Sequence, residues 1–208
     1  PTATADHVAK SIYNGVTTMM PSLDCLEIGE ELEKRFGLPT WQVAMTATEA
    51  NRYVIRNART LTGRPKILVM QECYHGSLDE TLPHIGEDGK LCLRSHFDSN
   101  PGLPKDQLTR VVEFNDVEAL ERELAYEDVA AVLLEPVMTN CGMVLPAEGY
   151  LDKVRELCTK YGSYMIIDET HTLSNGYGGC TKAWNLKPDF VTLGKSIAGG
   201  IPISVYGF

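Results

Sequence analysis

Between Tyr164 and Gly200 the chain carries two short apolar runs, Tyr164–Ile167 and Phe190–Leu193, each with glycines nearby. Runs of that length suit strands buried on both faces, the condition of a strand inside a parallel sheet. Asp168 ends the first run, and Lys195 follows the second by two positions. In open α/β sheets the reacting groups gather beyond the carboxyl ends of the strands. The acid and the amine are therefore expected on one rim, joined by a long loop and a return to the sheet.

Taken singly, neither residue decides anything. A lysine after a strand is most often solvated, and an aspartate at a strand end is most often a cap or turn residue. Together they suit a cofactor that needs an imine-forming lysine and a partner for a ring nitrogen, as pyridoxal phosphate does.

The rest of the chain alternates strand and helix signals. Leu26, Leu32 and Phe36 mark a helix face over Leu23–Phe36, with Gly37 as its cap and Pro39 beyond. Trp41–Met45 reads as a strand leading into a helical run through Thr62, stopped by Gly63 and Pro65. Further strands are expected at Lys66–Met70, Arg110–Phe114, Val129–Leu134 and Ile201–Tyr206. Helices are expected from the cap Asp116 through Tyr126 and over Glu148–Tyr161. Residues 1 to 22 give no clear signal, and Asp79–Thr109, rich in Pro, Gly and Asp, reads as an irregular excursion. The alternation, without repeats, predicts an α/β fold: a doubly wound, mostly parallel sheet with helices on both faces, in one domain over residues 1–208.

Composition narrows the partners. With 43% hydrophobic and 23% charged residues in 208, the chain can bury a substantial core. A formal charge of -9 argues against nucleic acid and anionic membrane surfaces. No apolar run approaches a membrane span. Six scattered cysteines match neither a zinc site nor a dense disulfide framework, so reduced thiols and a cytoplasmic location are expected. The chain opens at Pro1 and stops on an apolar run just after Lys195, as expected of a piece of a longer product.

Further residues gather near the same rim. Thr46-Ala47-Thr48 lies where a strand turns into a helix, and free amides at a helix start form a phosphate site to which the Thr48 hydroxyl adds a donor. On local sequence alone Thr48 reads first as no more than the helix cap, with Glu49 and Asn51 ordinary first-turn residues. Tyr74-His75-Gly76 follows a strand, where the aromatic could stack on a flat ring and the glycine admits close backbone approach. In isolation these are as well read as a rim tyrosine and a surface histidine. Glu135 ends a strand before Pro136, and His171 lies three residues beyond Asp168, where it could donate to a ring hydroxyl or be an ordinary loop residue.

In this order the segments resemble the large domain of a class III, fold-type I aminotransferase, on the branch that includes glutamate semialdehyde aminomutase. The matching pieces are TATEAN at Thr46–Asn51, YHG at Tyr74–Gly76, EPVMTNCGMVLPAEGYL at Glu135–Leu151, MIIDET at Met165–Thr170 and PDFVTLGKSIAGGIPISVYG at Pro188–Gly207. The resemblance implies a pyridoxal 5'-phosphate site made by Ala47, Thr48, Tyr74, His75, Glu135, Asp168, His171 and Lys195. Lys195 would hold the cofactor as a Schiff base and shuttle a proton, and Asp168 would keep the ring nitrogen protonated. Ala47 and Thr48 would bind the phosphate, Tyr74 would stack on the ring, and Glu135 would support the network around the ring hydroxyl.

The sequence departs from the family pattern in places. Thr46-Ala47-Thr48 stands where Ser-Gly-Thr is common, Thr170 where valine is usual, and His171 where Gln or Met is frequent. Asn140 occupies a position that holds a glutamate in many ω-amino-acid aminotransferases and leans toward the aminomutase-like branch. The family's amino-terminal segment and carboxy-terminal small domain are not among these residues, so residues 1–208 are expected to be an incomplete large domain. The implied activity is amino-group transfer between a small-molecule amino donor and a keto or aldehyde acceptor, in a homodimer with a shared active site. Alternatives are an aminomutase or racemase on the same cofactor, or a non-catalytic binding homologue.

Overall fold

The computed structural model describes residues 2–15, 19–93 and 108–208. Its helices are α1 (Thr2–Ser11), α2 (Leu23–Phe36), α3 (Ala47–Thr62), α4 (Val117–Leu124), α5 (Tyr150–Tyr161) and α6 (Gly179–Ala183). Its strands are β1 (Trp41–Ala44), β2 (Lys66–Met70), β3 (Pro83–Ile85), β4 (Leu91–Leu93), β5 (Thr109–Val112), β6 (Val129–Leu134), β7 (Tyr164–Asp168), β8 (Phe190–Leu193) and β9 (Ser204–Gly207). None of the described helices is long and apolar enough to cross a membrane.

Seven strands form one sheet in the order β1-β9-β8-β7-β6-β2-β5. β5, β2, β6, β7 and β8 pair in parallel; β9 runs against β8, and β1 runs against β9. β1 therefore points the same way as the parallel set, and the carboxyl ends of β1, β2, β6, β7 and β8 share one rim. This sense is dictated by burial. Every residue of β6 is enclosed, and so is most of β2, β7 and β8, which requires cover on both faces. α3 packs across β1 and β6–β9, whereas α4 and α5 pack on each other and against β5 and β7, giving the sheet its two helix layers.

The helix boundaries follow from their caps. α3 starts at Thr46, whose side chain accepts from the Glu49 amide at 3.1 Å, while Glu49 reaches back to the Met45 amide at 2.8 Å. It stops at Gly63, which takes the left-handed conformation and donates to Arg59 O. Asp116 caps α4 by accepting from the Ala119 amide at 2.8 Å. The cap of α3 is thus Thr46, and the alternative in which Thr48 serves as cap does not hold.

Other expectations shift. β1 ends one residue early, at Ala44, and β5 covers Thr109–Val112 rather than Arg110–Phe114. α5 begins at Tyr150 because Gly149 sits in the left-handed region before it. The final strand begins at Ser204, not Ile201, and lies antiparallel. α1 occupies part of the unassigned start and buries no residue. The stretch expected to be irregular holds a 3-10 turn at Asp79–Thr81 and the β3–β4 hairpin, while 94–107 fall outside the described residues.

Candidate active site

Asp168 is the last residue of β7 and is 3% exposed. Its Oδ2 accepts from Asn51 Nδ2 at 2.9 Å and meets His75 Nδ1 at 2.9 Å, and its Oδ1 accepts from the Thr170 amide at 3.0 Å. Burial alone would raise its pKa, but the hydrogen bonds and charge of His75, with the Thr170 and Asn51 donors, outweigh it and hold the carboxyl at about 2. His75 shows the converse balance. Burial opposes its charged form, yet the neighbouring Cys73 and Asp168 push the imidazole up to about 10. The pair is a carboxylate facing an imidazolium, placed behind the rim. His75 is therefore not a surface residue but a buried one, 1% exposed.

Lys195 stands at the mouth. It is exposed, directly follows Gly194, and adopts φ 48, a left-handed conformation uncommon for a residue with a side chain and one that gathers at functional sites. Its amine has no hydrogen-bond or ionic partner among the described residues. A Cβ on Gly194 would lie 2.9 Å from that of Ala47, so glycine lets the lysine turn close on the start of α3. There the amides of Ala47 and Thr48 find no acceptor among the described residues. The Thr48 hydroxyl accepts from the Ser77 amide at 3.2 Å, which leaves its own hydrogen available to a ligand.

A cavity of about 310 Å³ joins these groups. Ala47, Thr48, Tyr74, His75, Glu135, Asp168, His171 and Lys195 all line it, with Thr170 and Ile203 among the others. Tyr74 is half-exposed at its edge. Glu135 is buried, and its Oε2 accepts from the Thr139 hydroxyl at 2.7 Å. The same Thr139 oxygen is hydrogen-bonded to His171 Nδ1, which also lies 3.4 Å from Glu135 Oε2. Glu135 Oε1 and Thr170 Oγ1 are buried polar atoms without a partner among the described residues. Buried polar atoms are rarely left so, and a polar ligand in the cavity would supply what they lack.

Reading the sequence missed three buried residues. Asn51 and Thr192 complete the shell around Asp168, the Thr192 hydroxyl donating to Asn51 Oδ1 at 2.8 Å. Glu169 accepts from the Cys180 amide at 3.1 Å, from the Thr181 amide and from the Thr172 hydroxyl, and so ties the loop after β7 to α6. The available signals were a polar residue on the buried face of α3, beside Ala50, Val54 and Ile55, and one polar residue inside β8.

A mostly parallel sheet with an enclosed carboxylate, an unpaired lysine and an open helix start on one rim defines a fold-type I aminotransferase domain. Residues 2–207 match the family model described as Aminotransferase class-III, and the chain belongs to that family. It is 35% identical over 211 residues to glutamate-1-semialdehyde 2,1-aminomutase of Nitratidesulfovibrio vulgaris, covering 99% of this chain and 48% of that one. With the enzyme of the same name from Desulfitobacterium hafniense it shares 38% identity over 187 residues, 87% of this chain and 43% of the other. The chain thus spans about half the length of these curated relatives. Among solved structures it resembles a glutamate-1-semialdehyde-aminomutase from Pseudomonas aeruginosa PAO1, with TM-score 0.95 and 50% identity over 99% of this chain and 45% of that one. A lysine-to-alanine variant of an enzyme of that name and source, in complex with PMP, matches equally well. An omega-transaminase from Sphaerobacter thermophilus follows with TM-score 0.87 and 31% identity over 98% and 48% of the two chains.

Proposed function

We propose that this chain is the cofactor-binding large domain of a pyridoxal-phosphate-dependent enzyme that moves an amino group between an amino acid or amine and a keto or aldehyde acceptor. The observation that carries this is the Asp168 carboxylate, held ionised at the back of a cavity that Lys195 also lines. A phosphorylated pyridine aldehyde fits the donor set: free amides at the start of α3, a carboxylate for the ring nitrogen, an amine for the aldehyde. Bound there, it supplies an aldehyde that captures amines and a protonated ring that accepts negative charge from a substrate carbon.

Each residue then has a task. The Ala47 and Thr48 amides and the Thr48 hydroxyl bind the phosphate, aided by the positive end of the helix. Asp168 accepts the ring N–H and keeps that proton in place. Tyr74 covers a ring face, and Glu135 with His171 borders the ring hydroxyl. Lys195 Nζ would hold the aldehyde and, once freed by the substrate amine, would carry a proton between the substrate carbon and the cofactor's aldehyde carbon.

A second reading, an aminomutase acting within one substrate molecule, is favoured by the 50% identity to the Pseudomonas aeruginosa aminomutase structure and by Asn140. Product analysis with and without an added keto acid separates the two. A homodimer sharing its active site and a cytoplasmic location accompany either reading. The family resemblance supports the first, and the scattered spacing of the six cysteines supports the second.

The deciding experiment is Lys195→Ala in the full-length protein. It is expected to abolish the visible absorbance of lysine-bound cofactor and to lower turnover by at least about 10²–10⁴-fold. Turnover near the wild-type rate would refute the assignment.

A further inference from the structure

Asn51 lies in the first turns of α3, four residues beyond Ala47, and is wholly buried. Its side chain touches three elements. The amide nitrogen donates to Asp168 Oδ2 at 2.9 Å and to the His75 carbonyl at 3.2 Å, while the amide oxygen accepts from the Thr192 hydroxyl at 2.8 Å. Both N–H donors are used, and the oxygen has a partner. Turned over, the amide would point its oxygen at a carboxylate and a carbonyl, two acceptors that offer nothing in return. The contacts therefore permit one orientation, and Thr192 secures it from β8.

Packing does not explain this residue. Ala50, Val54, Ile55 and Ala58 are buried on the same helix, and an apolar side chain there would avoid the cost of burying an amide. What the amide adds is a fixed direction for the Asp168 carboxylate. It also sets a fixed offset. The free amides of Ala47 and Thr48 begin the helix that carries Asn51, so one rigid turn, with a rise of about 5.4 Å, links the amide end of the cavity to its carboxylate end.

Resting on the cofactor reading above, we propose that Asn51 is a positioning residue. Its amide, anchored by the His75 carbonyl and by Thr192, aims Asp168 at the ring nitrogen and holds it in register with the helix start that takes the phosphate.

The test uses the full-length protein and its Asn51→Ala and Thr192→Val variants, with two measurements: the dissociation constant of pyridoxal phosphate, and the pH midpoint of the bound cofactor's visible absorbance. Asn51→Ala is expected to weaken cofactor binding about 10- to 100-fold, the worth of a hydrogen bond to a charged group. It should also move the midpoint upward, because a less protonated ring draws less charge from the lysine-bound nitrogen. Thr192→Val should shift both in the same direction by less, and the double variant should be little worse than Asn51→Ala alone. A purely structural role would lower the melting temperature and leave affinity and midpoint unchanged, and that result overturns the proposal. If Asn51→Ala does not fold, unchanged affinity and midpoint in Thr192→Val overturn it instead. Wild-type protein that takes up no cofactor overturns the cofactor reading and this inference together, whereas normal uptake with indifferent variants overturns this inference alone.

Discussion

The Asp168 carboxylate and the His75 imidazole meet 2.9 Å apart where almost nothing of either side chain reaches solvent. Ninety-three positions separate them in sequence, and the meeting exists because β2 and β7 deliver their carboxyl ends to the same rim. An enclosed ion pair of this kind is expensive to leave half-made, so each partner's protonation is linked to folding.

The pH dependence of stability follows, with a definite sign. His75 is raised from 6.5 to about 10, so its contribution is complete below pH 6.5 and disappears as pH climbs through 10. Asp168 is lowered from 3.8 to about 2, so its contribution is complete above pH 3.8 and disappears as pH drops through 2. Urea unfolding of the full-length protein should therefore give a plateau from about pH 4 to 6.5, with decline on both sides. In His75→Gln the alkaline decline attributable to this pair should vanish; an unchanged slope there would contradict the linkage.

Gly76 is the second point of sensitivity. It adopts φ 88, and a Cβ would fall 2.0 Å from Thr48 Oγ1 and 3.0 Å from Thr48 Cα. The backbone contact cannot be relieved by rotating a side chain, so Gly76→Ala must displace the start of α3. A loss of about 1–3 kcal/mol in unfolding free energy is expected, together with weaker cofactor uptake. Calorimetry and an absorbance titration would measure the two effects separately.

Glu169 offers a test remote from the ring. Its buried carboxylate accepts two backbone N–H groups and the Thr172 hydroxyl, and a Cβ on Gly179 would meet it at 2.5 Å, so the loop is folded tightly around it. Glu169→Gln sets an NH₂ against donors and should cost about 2–4 kcal/mol. Because Thr170 and His171 follow it directly, hydrogen exchange in residues 170–181 should accelerate more than in β6.

Arg110 clamps the far edge of the sheet. Its Nε and Nη2 reach the two Asp128 oxygens at 2.7 and 2.8 Å, Nη1 reaches Glu123 at 2.7 Å, and the guanidinium lies 4.0 Å from the centre of the Tyr126 ring. Lysine can reproduce neither the fork nor the stacking. Arg110→Lys should lower stability by about 1–2 kcal/mol while leaving cofactor binding as in wild type. A parallel loss of binding would mean that this edge and the site are coupled.

Much of the scaffold is legible without coordinates. The β6, β7 and β8 runs announce themselves because burial on both faces removes polar alternation, and Gly37, Gly63 and Gly162 mark helix ends because only glycine enters the left-handed region without strain. The β3–β4 hairpin was not legible. Its strands are three residues long, and the Pro- and Gly-rich stretch around them reads as loop by composition. Thr48 was ambiguous for a different reason, since a threonine near a helix start can cap it, bind a ligand or hold a neighbouring loop. The Ser77 amide, twenty-nine positions away, settles its hydrogen bond.

By itself, then, the order of residues determines which side chains reach the rim, because strand ends and helix starts are local matters of burial period and capping. Tertiary structure alone decides what stands behind them: that His75 is enclosed against Asp168, that Asn51 looks inward, and that Thr192 meets its amide oxygen. Those contacts span 93, 117 and 141 positions. Hydrogen bonds across such separations depend on strand order and register, and no local pattern of hydrophobicity encodes either.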